Sequence, residues 1–357
     1  MNIIAATKSY EEWLSRLTPL MARDLKLKHR EMRADVFSFL RATYYRWAQI
    51  FPEACPALAG DPVALAVGDL HVENFGTWRD GDGRLVWGVN DFDECHPLPF
   101  SHDLVRLAVS ALLAIDGGDL KLSHSAAAAA ILEGYIGSLR IGGKPLVLVG
   151  QSSALRTMVR DRLNHPESFW AKMFSHPPVR QPVPVGAVRA IRELLPERQL
   201  PLKFLHRIAG LGSLGKPRFT GIGDWRGGPI VREAKALTVS ACLWASGVKR
   251  PGAVQYQEML QHAVRCPDPM VLVRGGWLVR RLSPDCFRIR LANLPQKRDA
   301  RELLYSMGWE TANIHLGSIR PDLLLRNLKR KSKTWLLEHA ATMLNQTRQD
   351  WKTWRKE

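Results

Sequence analysis

The chain has 357 residues, 46% of them apolar in type, five cysteines and a formal net charge of +17. That length and apolar share support one large domain in two lobes, or two domains, and not a small stapled scaffold. The charge suits nucleic acid, anionic lipid or phosphorylated small molecules as partners, and it equally serves solubility alone. Cys55, Cys95, Cys242, Cys266 and Cys286 are scattered and form no CxxC pair, which argues against a disulfide framework and a zinc site. The start, MNIIAATKSYEEW, has no basic region followed by an apolar core, and the longest apolar run, AAAAAIL at 126–132, is too short to span a bilayer. A cytoplasmic protein with buried free thiols is expected.

In chain order, 8–50 reads as helical, with Trp13, Leu17 and Leu20 at helical spacing and FSFLRATYYRWAQIF carrying apolar residues through several turns. VALAV at 63–67 predicts a strand leading into GDLHVENFG. RLVWGVNDF at 84–92 predicts a second strand, so the two polar motifs are expected at the ends of neighbouring strands. Ser101 is placed to cap a helix over HDLVRLAVSALLAI, and Ser123 another through the alanine run. HPPVRQPVPVG at 176–186 reads as a linker or lobe boundary.

Beyond it the pattern becomes strand-like. PLKFLHRIAG, the turn GLGSLG, KPRFTGI and GGPIVREAKAL at 227–237 read as strand, glycine-rich turn, strand, turn, strand. A helix over AVQYQEMLQHAVR and the hairpin MVLVRGGWLVRRL at 270–282 follow, and from about 297 the chain reads as helices. RPDLLLRNLKRKSK at 320–333 predicts a helix with a leucine face and a basic face. It has no aromatic before Trp335, so a solvated surface fits it better than a reader of stacked bases.

Three strands, a helix and two strands, with a glycine-rich turn between the first two, is the element order of the small lobe of a protein kinase. Phosphoryl transfer asks for a carboxylate near the attacking hydroxyl, oxygen ligands for magnesium and donors around the phosphates. Asp69 and Asn74 have the spacing of the kinase catalytic loop, which gives Asp69 to the hydroxyl and Asn74 to the metal. Asp91, opening DFD, stands where a second magnesium ligand belongs. No second histidine lies at ligand spacing from His71, so a hydrogen-bonded structural role is expected for it. GLGSLG alone also fits a Rossmann turn; the strand-like KPRFTGI after it points to a hairpin. Gly210 and Gly215 would then frame the turn, with the amides of Gly212, Ser213 and Leu214 over the phosphates.

GDLHVEN followed by a strand and DFD resembles the loop of aminoglycoside and choline phosphotransferases. That resemblance gives Asp103, in HDLVRLA, the job of bracing the loop. From about 25 to 355, the blocks MRADVFSFLRA, GDLHVENFG, NDFDE, DLVRLAVS, RIAGLGSLG, VREA, QEMLQ, LVRRL and NIHLGS are similar to those of the bacterial family called domain of unknown function 2252, grouped with kinase-like folds. The resemblance implies an α+β, protein-kinase-like two-lobed fold. The order of motifs makes it circularly permuted: a large-lobe segment at 1–185, a small nucleotide-binding lobe at 186–290 and C-terminal helices at 291–357 completing the large lobe.

The family lysine falls on Arg232 in VREAK. Residues 232 and 235 face opposite sides of a strand. If Arg232 points at the phosphates, Ile230 faces the adenine; if Lys235 did, Glu233 would face it. Arg232 is therefore the expected phosphate cation, with Glu258 or Gln255 as its partner. The expected activity is ATP- and Mg2+-dependent phosphotransfer to a hydroxyl of a small, anionic molecule or a protein. AMP transfer at the same site, a nucleotide-sensing pseudokinase and a basic nucleic-acid-binding module are the alternatives.

Overall fold

A computed structural model describes residues 1–148, 166–248, 252–287 and 297–357. Four helices open the chain: α1 (Ile3–Ser15), α2 (Ala22–Ala34), α3 (Val36–Ala42) and α4 (Tyr44–Ala54). Asn2 caps α1 by accepting from the Ala5 amide at 3.0 Å, and Asp35 ends α2 and caps α3 through the Ser38 amide at 2.7 Å. Four strands follow: β1 (Val63–Ala66), β2 (Phe75–Arg79), β3 (Leu85–Val89) and β4 (His96–Pro99). β2 and β3 form an antiparallel hairpin, while β1 pairs with β4. The strand leading into GDLHVEN is therefore not the neighbour of the strand ending in DFD, as the sequence had suggested; the strand leaving that motif is. The polar motifs still meet, because β2 starts where β3 ends.

Helix α5 (Ser101–Asp116) is buried on every face from Ser101 to Ala114. Ser101 is its first residue and does not cap it; its hydroxyl is buried with no hydrogen-bond partner among the described residues. Ser123 does cap α6 (His124–Arg140), accepting from the Ala126 amide at 3.2 Å. A short strand β5 (Leu146–Val147) adds to β3.

Helices α7 (Pro166–Phe174) and α8 (Val185–Glu193) lead to β6 (Lys203–Leu205), β7 (Arg218–Trp225) and β8 (Gly228–Ala236). After α9 (Ala241–Ala245) and α10 (Tyr256–His262) come β9 (Val271–Arg274) and β10 (Trp277–Leu282). These five strands make one antiparallel sheet in the order β6-β7-β8-β10-β9. Alternation sends Phe219, Ala234 and Val279 against Ala187, Ala190 and Ile191 of α8, and Leu205, Ile222, Val231 and Leu282 against Met173 of α7. The proline-rich 176–186 segment is drawn onto the edge of the sheet: the Val179 amide reaches the Phe204 carbonyl at 3.0 Å, and the His206 amide the Pro177 carbonyl at 2.8 Å.

The chain closes with α11 (Lys297–His315), α12 (Pro321–Lys329) and α13 (Trp335–Trp354). α11 lies on α6 at a crossing only glycine permits: a Cβ on Gly134 would stand 1.8 Å from the Tyr305 carbonyl oxygen, and one on Gly308 2.0 Å from that of Ile131. α12 buries Leu324 and Leu328 and keeps its basic residues outward, as its pattern predicts. The architecture is mixed α+β with small sheets. The expected boundary near 290 falls outside the described residues. Among the described residues no helix is long and apolar enough to cross a membrane.

Candidate functional site

The polar motif after β1 is held from below by α5. The Asp103 carboxylate, fully buried, accepts from the Val67 amide at 2.7 Å and the Gly68 amide at 2.9 Å, and meets His315 Nε2 at 3.1 Å. Burial would raise its pKa, yet the His315 hydrogen bond and the two imidazoles beside it, His315 and, at 3.7 Å, His102, prevail and hold it well below the usual carboxylate range. This is the bracing contact that the family resemblance implied for Asp103. Residue 68 must be glycine: its φ is +80°, and a Cβ would stand 2.4 Å from the Glu94 carbonyl oxygen. His71 organises the loop locally, accepting the Asn74 amide at its carbonyl, 2.8 Å, and the Glu73 amide at Nδ1, 3.2 Å.

One helical turn after Asp103, Arg106 takes Asp69. Its Nε lies 2.9 Å from Asp69 Oδ1, Nη2 bonds the same oxygen, and Nη2 also donates to the Leu40 carbonyl at 2.9 Å. The guanidinium is fully buried, 5.0 Å from the Tyr44 ring centroid and 4.9 Å from that of Trp47. Burial nevertheless lifts the Asp69 pKa to about 6, against the lowering by Arg106 and with help from the charge of Asp91. Sequence reading missed Arg106. The available signal was an arginine on the inward face of an otherwise apolar helix, three residues after the bracing aspartate.

Asn74 and Asp91 sit at the same end of the β2–β3 hairpin, where the Asn90 amide reaches the Asn74 carbonyl at 3.1 Å and extends the ladder. Asn74 Oδ1 is buried with no hydrogen-bond partner among the described residues. Lys235 Nζ lies 3.2 Å from Asp91 Oδ1 and 2.7 Å from Asp93 Oδ2. Burial and the charge of Asp91 push the Asp93 pKa up. An orphaned amide oxygen beside a carboxylate is the hard-oxygen pair that magnesium takes when phosphates complete its shell, so these residues fit that ion. Among the described residues no group of three or more His, Cys, Asp or Glu could hold a metal by itself.

The orientation of β8 differs from the expectation. Lys235 reaches the acidic cluster, whereas Arg232 lies on the opposite face and donates to the carbonyls of Leu194, 2.9 Å, and Val231, 3.0 Å. Burial pushes its pKa down to about 10. Ile230 shares the face of Arg232, away from the acidic cluster. The objection to an inward Lys235 was that Glu233 would turn inward with it. Glu233 does so, and is neutralised there by Arg207 and Arg218 at 2.6 Å each and by Arg280 at 3.1 Å. The partners of Lys235 are Asp91 and Asp93, not Glu258, which is exposed, nor Gln255.

The glycine turn lies against the GDLHVEN motif. Gly210, Gly212 and Ser213 line one narrow cleft of about 40 Å³ with Asp69, Asn74, Asp91 and Lys216. A Cβ on Gly212 would stand 3.2 Å from Asp69 Oδ2 and 3.0 Å from the Arg41 carbonyl oxygen, so the turn covers Asp69 closely. Lys28 of α2, its pKa lowered to about 8 by burial, donates to the Gly212 carbonyl at 3.2 Å, and the Met21 amide reaches the Gly215 carbonyl at 2.8 Å. The Leu214 amide is spent on the Leu211 carbonyl, 3.3 Å, and its side chain is buried; it does not offer the free donor expected of it. Gly210 also borders a second cavity of about 560 Å³, between the sheet and the β2–β3 hairpin.

Residues 20–144 match the model of a family described as an uncharacterized protein conserved in bacteria, DUF2252. No curated protein and no solved structure matches the chain. The matched stretch carries Asp69, Asn74, Asp91, Asp103 and Arg106 and ends before the glycine turn and Lys235.

Proposed function

We propose that the protein is a phosphotransferase that uses ATP and Mg2+ to phosphorylate a hydroxyl of a small molecule or protein, on a kinase-like, circularly permuted fold. The observation that carries this reading is the single cleft in which Asp69, Asn74 and Asp91 face the Gly210–Ser213 turn, although the turn follows them by more than a hundred residues. A sheet built from three strands, two short helices and two strands supports it further. Asp69, with a pKa near 6, is mostly ionised at neutral pH yet basic enough to take a proton from a hydroxyl. Arg106 fixes its orientation. Lys235 keeps the Asp91 and Asp93 carboxylates together, and Asn74 and Asp91 would hold the metal, whose contribution is to neutralise phosphate charge.

ATP labelled at the α or the γ phosphate tests the reading. The expected result is transfer of the γ label. Transfer of the α label would mean AMP transfer, and binding without transfer a nucleotide sensor. Asp69→Ala should leave Mg2+-dependent ATP affinity largely intact and cut turnover about 10²- to 10⁴-fold, whereas Asp91→Ala should weaken the affinity itself. ATP affinity that is absent, or indifferent to Asp91→Ala, ends the proposal.

A further inference from the structure

The 560 Å³ cavity has a size typical of small-molecule sites, yet its wall is cationic. Lys172, Arg207, Arg218, Arg265, Arg280 and Arg281 line it. Carboxylates compensate only part of this charge. Glu233, beneath the wall, is shared by Arg207, Arg218 and Arg280. Glu73 is engaged by Arg41 at 2.6 Å, which leaves Asp268 as the remaining lining carboxylate.

Arg265 and Arg281 are the least satisfied. Nε and Nη1 of Arg265, and Nε and Nη2 of Arg281, are buried with no hydrogen-bond partner among the described residues. Arg265 stacks on Trp78, 4.6 Å, and Phe92, 5.0 Å, and feels the charges of Glu310 and Asp268 without a hydrogen bond to either among the described residues. Buried guanidinium groups without acceptors are costly, and their planar forks suit phosphate oxygens. A neutral base would leave that cost in place; a multiply charged ligand would offset it.

We propose that this cavity binds a small molecule carrying at least two phosphate groups, with Arg265 and Arg281 among its recognition residues. The proposal stands whether or not the neighbouring cleft transfers phosphate, because it concerns binding alone. Enclosure between the sheet and the hairpin favours a small molecule over nucleic acid, for which the exposed basic face of α12 is the more accessible surface.

The probe is inorganic pyrophosphate, titrated calorimetrically into the full chain with EDTA present, so that metal-dependent binding in the cleft does not contribute. Pyrophosphate should bind more tightly than orthophosphate, and Arg281→Gln or Arg265→Gln should weaken it about 10- to 100-fold. The surface variant Lys329→Gln/Arg330→Gln and the cleft variant Asp91→Ala should bind it as the wild type does. Without probe, Arg281→Gln should melt no lower than the wild type, since an unsatisfied buried cation is removed. In the wild type, pyrophosphate should protect Arg265 and Arg281 from phenylglyoxal, mapped by mass spectrometry; this readout needs no variant to fold. Lack of protection overturns the proposal, as does weakening by the surface variant alone or displacement of the probe by duplex RNA through α12.

Discussion

Lys235 and Arg232 lie three residues apart on one strand, and their replacement should have different consequences. Lys235 is 3% exposed and holds two carboxylates that are themselves 19% and 10% exposed. Lys235→Met removes the cation that bridges Asp91 and Asp93. Removing one partner of a buried ion pair typically costs about 3–5 kcal/mol. The loss should depend on pH. The Asp93 pKa is already raised by burial and by Asp91, and without Lys235 it rises further. A carboxyl with a folded pKa above its unfolded value, about 4, binds more protons folded than unfolded, so stability falls as pH climbs through that window. Urea unfolding should therefore show a larger loss at pH 8 than at pH 5, and Mg2+ should restore part of it by replacing the missing cation. Among the described residues Arg232 donates only to neutral carbonyls, so Arg232→Met should cost about 1–3 kcal/mol, equally at both pH values and with no response to Mg2+. Equal, pH-independent losses in the two variants would refute the assignment of Lys235 as the strand cation of the site.

Arg106→Met removes the only basic side chain that bonds Asp69 among the described residues, so the Asp69 pKa should move above about 6. If Asp69 is the proton acceptor, the acidic limb of the pH–rate profile should move upward with it; an unmoved limb would give that role to another group. Glu310 is buried behind β3, and burial raises its pKa to about 7. Its folded pKa exceeds the unfolded one, so its contribution favours folding at pH 5 and is lost by pH 8. Glu310→Gln should flatten the stability profile over that range by up to about 3 kcal/mol, as measured by urea unfolding. Gly212→Ala places a methyl group 3.0 Å from the Arg41 carbonyl oxygen and 3.2 Å from Asp69 Oδ2. The turn must lift, and amide hydrogen exchange across 210–215 should accelerate; unchanged exchange would mean that the turn does not rest on Asp69.

The sequence by itself determined the elements and the polar inventory. Helices with one apolar face, the β9–β10 hairpin with its paired glycines and the Ser123 cap were legible because their causes are local: side-chain period, turn chemistry and a hydroxyl beside free amides. Asp69, Asn74 and Asp91 were legible for the same reason, as polar groups concentrated where an apolar strand stops. The tertiary structure decided which of these groups meet. Which face of β8 turns inward depends on whether a buried Glu233 can be neutralised, and the arginines that do so come from β7, from β10 and from the segment after β6. From the sequence, an inward Lys235 would have set the charge of Glu233 against the adenine, and Arg232 was expected instead. Arg106 was passed over because its partners, Asp69 above all, lie 37 or more positions away in the chain. The glycine turn reaches Asp69 only because α2 holds it there through Lys28 and Met21. A buried charge is stable only beside its counter-charge, and that pairing is set by the fold and not by the neighbours in the chain.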